Sequence, residues 1–246
     1  MAFSKTIDDL VNILLARVKG GSGSTDPLYS LALADLNMAL QDLASAHHWS
    51  WLRKEVSMTV AANTRLLNSQ ANFPTDAIAF HALLSNFNND RIPLKLISQD
   101  EFNDLHPDIA ATGVPSHYII GPLYQATATD APVRAIELRP IASQSFVLYI
   151  SYQDTFKNYT VAEKLEVPPL PPNYYGLIVE MASARFSTSL SRPKAQIDLH
   201  EMKALRLMEQ LSRIDSDRNK VKSIRLPQDM IAYRANRYGL LGRRFQ

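Results

Sequence analysis

The sequence predicts an α+β fold in which a helical bundle drawn from both chain ends carries an inserted antiparallel β domain and continues into an extended C-terminal arm. Three observations predict it. Apolar residues recur at three- and four-residue steps before about residue 50 and again after about residue 172. Between those stretches they alternate with polar residues at the two-residue period of a half-buried strand. From Lys222 onward neither period persists. The boundaries follow as residues 1–50 and 168–221 for the two parts of the bundle, 51–167 for the β domain and 222–246 for the arm.

Ile7, Leu10, Val11, Leu14, Leu15 and Val18 fall on one face of a first helix, with Thr6 and Asp9 placed to form a capping box at its start. The following KGGSGSTD stretch, Lys19 to Asp26, holds three of the eight glycines and reads as a link between helices. Asp26 is placed as N-cap of the second helix and Pro27 as its first residue, where a missing N–H costs nothing. That helix runs to about His48, with Leu33, Leu36, Leu40 and Leu43 on its buried side.

Val56, Met58 and Val60 open the β region. Further strands are expected at Ala77 to Leu84, Ile92 to Ile97, His117 to Gly121, Arg134 to Leu138 and Phe146 to Tyr152, between turn-rich segments. Ser98 to Leu105 reads as a short helix capped by Ser98, with Glu101 three residues on. Pro168, Pro169, Pro171 and Pro172 form a stiff boundary that neither continues a strand nor enters a helix interior. Helix periodicity returns in Tyr174 to Leu190, where Leu177, Ile178, Met181, Ala182 and Arg185 share a face. It returns again in Lys194 to Asp215, where Leu199, Met202, Leu205, Met208 and Leu211 recur every three residues.

Composition narrows the function. With 246 residues, 46% of them apolar, the chain has enough material for a substantial core. It has no cysteine, which excludes disulfides and thiolate metal sites and fits a reducing cytoplasm. The longest apolar stretches fall short of the roughly 20 residues needed to cross a bilayer. Asp8 and Asp9 stand where a signal peptide is apolar. No membrane partner and no secretion are expected. Charge is uneven: residues 213–246 hold nine Lys plus Arg against three Asp, a net of +6, while the whole chain is +2, so residues 1–212 carry −4. A basic end on an acidic body suits an acidic partner.

Motifs for catalysis are missing from the linear sequence. The Gly20 to Gly23 stretch lacks the downstream Lys of a phosphate-cradling loop. His47 and His48, read as part of the second helix, point about 100° apart and cannot share a metal. His81, His106, His117 and His200 are scattered. Asp100, Glu101 and Asp104 read as solvated charges on an exposed helix, and Ser183 and Ser187 lie near no candidate base. Trp49, Trp51, Tyr118, Tyr149, Tyr152, Tyr174 and Tyr175 sit at element ends or alternate with apolar residues, as core or subunit-contact residues do, with few cations nearby for nucleic-acid stacking. The expectation is a protein with no cofactor, no metal and no catalytic role. In the arm, Arg234, Arg237, Tyr238, Arg243, Arg244 and Phe245 interleave guanidinium and aromatic groups, a mixture enriched at protein interfaces and suited also to phosphate.

The order of several phrases resembles a known family. A tryptophan-rich stretch, HHWSWLRKEVSMTV, follows the first helix pair. FPTDAIAFHALL, PLKLISQDEFNDL, GVPSHYII and IELRPIASQSFVLYISYQ then succeed one another, and LPPNYYGLIVEMASARFSTSL returns the chain to helix. This is similar to the head-to-tail connector adaptors of tailed bacteriophages, called tail tubular protein A in short-tailed phages, over roughly Leu28 to Leu190. The resemblance implies a virion protein at the head-tail junction, assembled in the host cytoplasm. Its implied partners are the portal protein, the tail nozzle or tail tube protein, copies of itself in a dodecameric ring, and non-specific double-stranded DNA in the channel. It also implies that the C-terminal segment, with the six arm residues named above, grips the portal. The alternative is a nucleic-acid-binding protein that uses the basic C-terminal tail.

Overall fold

The computed structural model describes residues 4–20, 23, 25–68, 72–74, 77–87, 90–108, 110–124 and 133–219. The chain is α+β. Helices α1 (Ile7–Val18) and α2 (Tyr29–Ala46) come first. Strands β1 (Arg53–Val60), β2 (Leu66–Leu67), β3 (Ala79–Phe87), β4 (Asp90–Pro93) and β5 (Lys95–Leu96) follow, then α3 (Gln99–Leu105). Strands β6 (Thr112–Gly113), β7 (His117–Tyr124), β8 (Val133–Arg139), β9 (Ile141–Ala142) and β10 (Phe146–Gln153) lead to helices α4 (Tyr175–Ser189) and α5 (Lys194–Asn219).

Local chemistry sets the helix starts. Thr6 Oγ1 accepts from Asp9 N at 3.1 Å while the Asp9 carboxylate accepts from Thr6 N at 2.9 Å, the expected capping box, worth about 1 kcal/mol. Ser98 Oγ accepts from Glu101 N at 3.2 Å and starts α3. The start of α2 differs from the sequence reading. Asp26 accepts from Leu28 N at 2.9 Å and binds Lys19 Nζ, so its carboxylate closes a turn in front of the helix. The helix begins two residues beyond Pro27, at Tyr29, without a side-chain cap. His47 is already extended and ends α2, so the two histidines lie beyond the helix rather than on it.

Two four-stranded sheets have the orders β1-β10-β3-β4 and β2-β8-β7-β5, and β6 pairs with β9. Antiparallel pairing predominates, as expected, but β5 with β7 and β6 with β9 are parallel. The stretch read as one strand from Ile92 to Ile97 is two. β4 pairs with β3 in the first sheet and β5 with β7 in the second, and the chain crosses between them at Pro93 and Leu94, where proline supplies no N–H to a continuous ladder.

Buried apolar residues form two main cores. One joins α1, α2, α4 and α5 with Trp49, Leu52, Phe156, Tyr159 and Leu170. The other lies within the β region, around Met58, Leu83, Ile136, Leu148 and Ile150. A small cluster of Ile97, Phe102 and Ile119 seats α3. α4 is buried on nearly all sides, Glu180, Ser183 and Ser187 included. The threefold stripe of α5 divides: Leu211 is buried and Met208 packs against the core, whereas Leu199, Met202 and Leu205 face outward and Ala204 and His200 take the inner side.

Candidate functional site

The last carbonyls of a helix have no partners inside it, and at the end of α2 a strand supplies them. Gln153, the last residue of β10, donates from Nε2 to Ala44 O at 2.6 Å and to His47 O at 2.8 Å. Its Oε1 lies 3.1 Å from His48 Nδ1. Asp154 N donates to Leu52 O at 3.0 Å, continuing the tie between the helical core and the first sheet. Trp49 is fully buried at this joint and donates from Nε1 to Leu43 O at 2.6 Å. The Trp51 ring is stacked 6.1 Å from it, and the Tyr174 ring meets it edge-on at 5.2 Å. From α5, Asp215 reaches the same joint: its carboxylate accepts from Ser50 N at 3.1 Å and from Ser50 Oγ at 2.5 Å. The end of α5 is therefore fixed to the start of the β region.

A second buried set ties α1, α4 and α5. Glu180 bonds His200 Nδ1 at 2.7 Å through one oxygen and accepts from Arg17 through the other. Burial alone would raise the Glu180 carboxyl; the hydrogen bond with His200 and the Arg17 charge outweigh it and hold the group below the usual glutamate range. Asn37 on α2 donates to Tyr159 O at 2.8 Å and accepts from Tyr159 N at 3.0 Å, which fixes the chain as it leaves β10 of the first sheet for α4. These polar links hold α1, α4 and α5 to one another and α2 to the segment after β10.

The histidines that are scattered in sequence come together in pairs: His106 Nε2 lies 3.0 Å from His117 Nδ1, and the His48 and His81 rings are 5.1 Å apart. Burial, then His48 and Arg53, lower His81 to about 4. Burial, then His117 and Arg139, lower His106. Among the described residues no group of three His, Cys, Asp or Glu is placed to hold a metal ion. Asp100, Glu101 and Asp104 are exposed on α3. Ser183 and Ser187 are fully buried, and neither Oγ has a hydrogen-bond partner among the described residues. Trp49, Tyr118, Tyr174 and Tyr175 are buried, so they offer no stacking platform.

The model of the family described as SU10 adaptor protein matches residues 5–227, which includes every described helix and strand. The chain belongs to the SU10 adaptor protein family. This is a phage head-to-tail adaptor family, in agreement with the resemblance read from the sequence. The SU10 adaptor family is structural and implies a non-enzymatic virion component. No curated protein matches the chain.

In the adaptor, Arg234, Arg237, Tyr238, Arg243, Arg244 and Phe245 lie outside the described residues and beyond the end of the family match. What the fold adds is the point from which the chain sets out toward them, the end of α5 held by Asp215. Sequence reasoning missed Ser50, Gln153, Glu180 and Asp215. Only Glu180 carried a signal, as a lone carboxylate in the apolar run YGLIVEMASA. No helix among the described residues is long and apolar enough to cross a membrane.

Proposed function

We propose that this adaptor forms a dodecameric ring docked between the portal and the tail nozzle or tail tube, continuing the channel through which double-stranded DNA passes. The observation that carries the reading is the family match over residues 5–227. In it, residues 1–50 and 168–221 act as one helical bundle in the ring wall, 51–167 as an inserted β domain, and 222–246 as the arm that grips the portal. The shared core of α1, α2, α4 and α5, separate from that of the β region, supports this division. The adaptor is assembled into the head-tail junction from the host cytoplasm.

Arg234, Arg237, Tyr238, Arg243, Arg244 and Phe245 are the proposed portal-binding residues. Fully extended, residues 222–246 span on the order of 80 Å at about 3.3 Å each, enough to cross onto a neighbouring subunit or the portal. An arm that orders only against the portal makes assembly sequential, since its ordering entropy is offset only when that surface is present. The channel contacts DNA loosely and reads no bases. A non-enzymatic role follows from the same reading.

The net +6 of residues 213–246 favours one alternative, nucleic-acid binding through the tail. The test is sedimentation with the portal ring of the same phage, using the full chain and a chain truncated after Pro227. Stoichiometric co-sedimentation lost on truncation supports the portal grip. Failure of the full chain to bind, together with DNA affinity that falls steeply between two salt concentrations, supports the alternative.

A further inference from the structure

Helix α5 carries two apolar faces, and α4 covers one of them. Toward the core lie Ala204 and Leu211, with His200 and Asp215 beside them. At about 100° per residue, Leu199, Met202 and Leu205 point the other way, and they are 45%, 62% and 44% exposed. Two of the charges beside this stripe stand at equal distances from its middle residue, while exposed Glu209, seven residues on, would lie level with Ala195 of a second copy. Asp198 and Arg206 stand four residues to either side of Met202, each within about 40° of its direction. Eight residues apart on one helix, they are separated by about 12 Å along its axis and cannot reach one another. Neither has an ion-pair partner among the described residues.

A second copy of α5, laid antiparallel with a two-fold axis at Met202, resolves both features. The axis brings each residue before Met202 level with the residue equally far after it in the other copy. Met202 meets Met202, the leucines close over the pair from both ends, and Arg206 of each copy comes level with Asp198 of the other. We infer that the free adaptor pairs with a second copy of itself through the outward face of α5, about a two-fold axis at Met202.

The charge pattern selects this occupant. An isologous contact needs a patch complementary to itself under rotation, and opposite charges at equal distances from an apolar centre meet that requirement. The ring contact joins two different patches, so the pairing stands independently of the ring, and its failure would leave the adaptor reading untouched. Three apolar residues and two ion pairs make a small interface, below about 1,200 Å², so the association is reversible.

The chain has no cysteine, so Met202→Cys introduces a single thiol that sits on the proposed axis. Under mild oxidation, full-length M202C gives a covalent dimer, while Ser30→Cys, on the exposed side of α2, stays monomeric. In sedimentation equilibrium at low salt, Asp198→Arg and Arg206→Asp each weaken self-association at least tenfold, and the double swap restores it. Circular dichroism confirms that each variant is folded. The inference is overturned by M202C that cross-links no faster than S30C, or by a double swap no better than the single changes. It is also overturned if self-association appears only after truncation at Pro227, which would make the arm the occupant of this face.

Discussion

Asp215 accepts two hydrogen bonds from Ser50, a residue 165 positions earlier, and so pins the end of α5 to the turn that leads into β1. The contact lies four residues before the last described residue of α5. It ties the last described turns of α5 to the segment between the helical core and the first sheet.

Asp215→Ala removes the acceptor for a backbone N–H and a hydroxyl that are partly buried. The expected cost is about 1–3 kcal/mol, read from the midpoint of urea unfolding. Hydrogen exchange is the more specific readout. Amides in the last two turns of α5 should exchange faster while those of α1 keep their protection.

Glu180→Gln breaks the link among α1, α4 and α5. Arg17 is 42% exposed and screened by water, so the loss at neutral pH is about 2 kcal/mol rather than the larger value of a fully buried pair. Because the folded carboxyl lies below its ordinary value of 4.5, its stabilisation is fully present above that pH and is lost as pH falls through the depressed folded value. The difference in unfolding midpoint between wild type and variant should therefore narrow below about pH 4.

His81 contributes a slope of the same sign, in a window that begins at higher pH. Burial holds it neutral in the folded chain down to about 4, against an ordinary value of 6.5. The unfolded chain takes up that proton first, so stability falls as pH drops from 6.5 to about 4. His81→Gln should flatten this part of the stability profile, and the His81 ring resonance should titrate near 4 in the folded protein.

Trp49→Ala empties the fully buried centre of the aromatic joint and strips Leu43 O of its donor. About 4 kcal/mol of stability should be lost. Trp49→Phe, which keeps most of the ring volume but not the N–H, should cost less than half of that in the same denaturation series.

How much of this was legible in the sequence depended on how local the cause was. The capping box of Thr6 and Asp9 and the Ser98 cap are complete within four residues, so the sequence alone locates both helix starts. Asp26 reads as a cap from the sequence, but a carboxylate before Pro27 serves a turn as well, and its bonds to Lys19 and Leu28 put it in the turn. Spacing marks an apolar stripe without saying what covers it. Leu199, Met202 and Leu205 have helical periodicity whether or not another helix lies against them, and α4 took the other face. The histidine pairs, Gln153 under the end of α2 and Asp215 at Ser50 depend on tertiary placement, and no window of sequence contains them. The six arm residues are still known from sequence alone, as an interleaving of arginine and aromatic groups.

The measurement that tests the adaptor most directly is bridging. Portal rings from the same phage are immobilised and offered purified tail nozzle or tail tube protein, with and without this chain. The account predicts that the tail protein is retained only when the full chain is present, and that truncation after Pro227 abolishes retention. Equal retention of the tail protein without the chain, or a chain that binds neither portal nor tail, would contradict it.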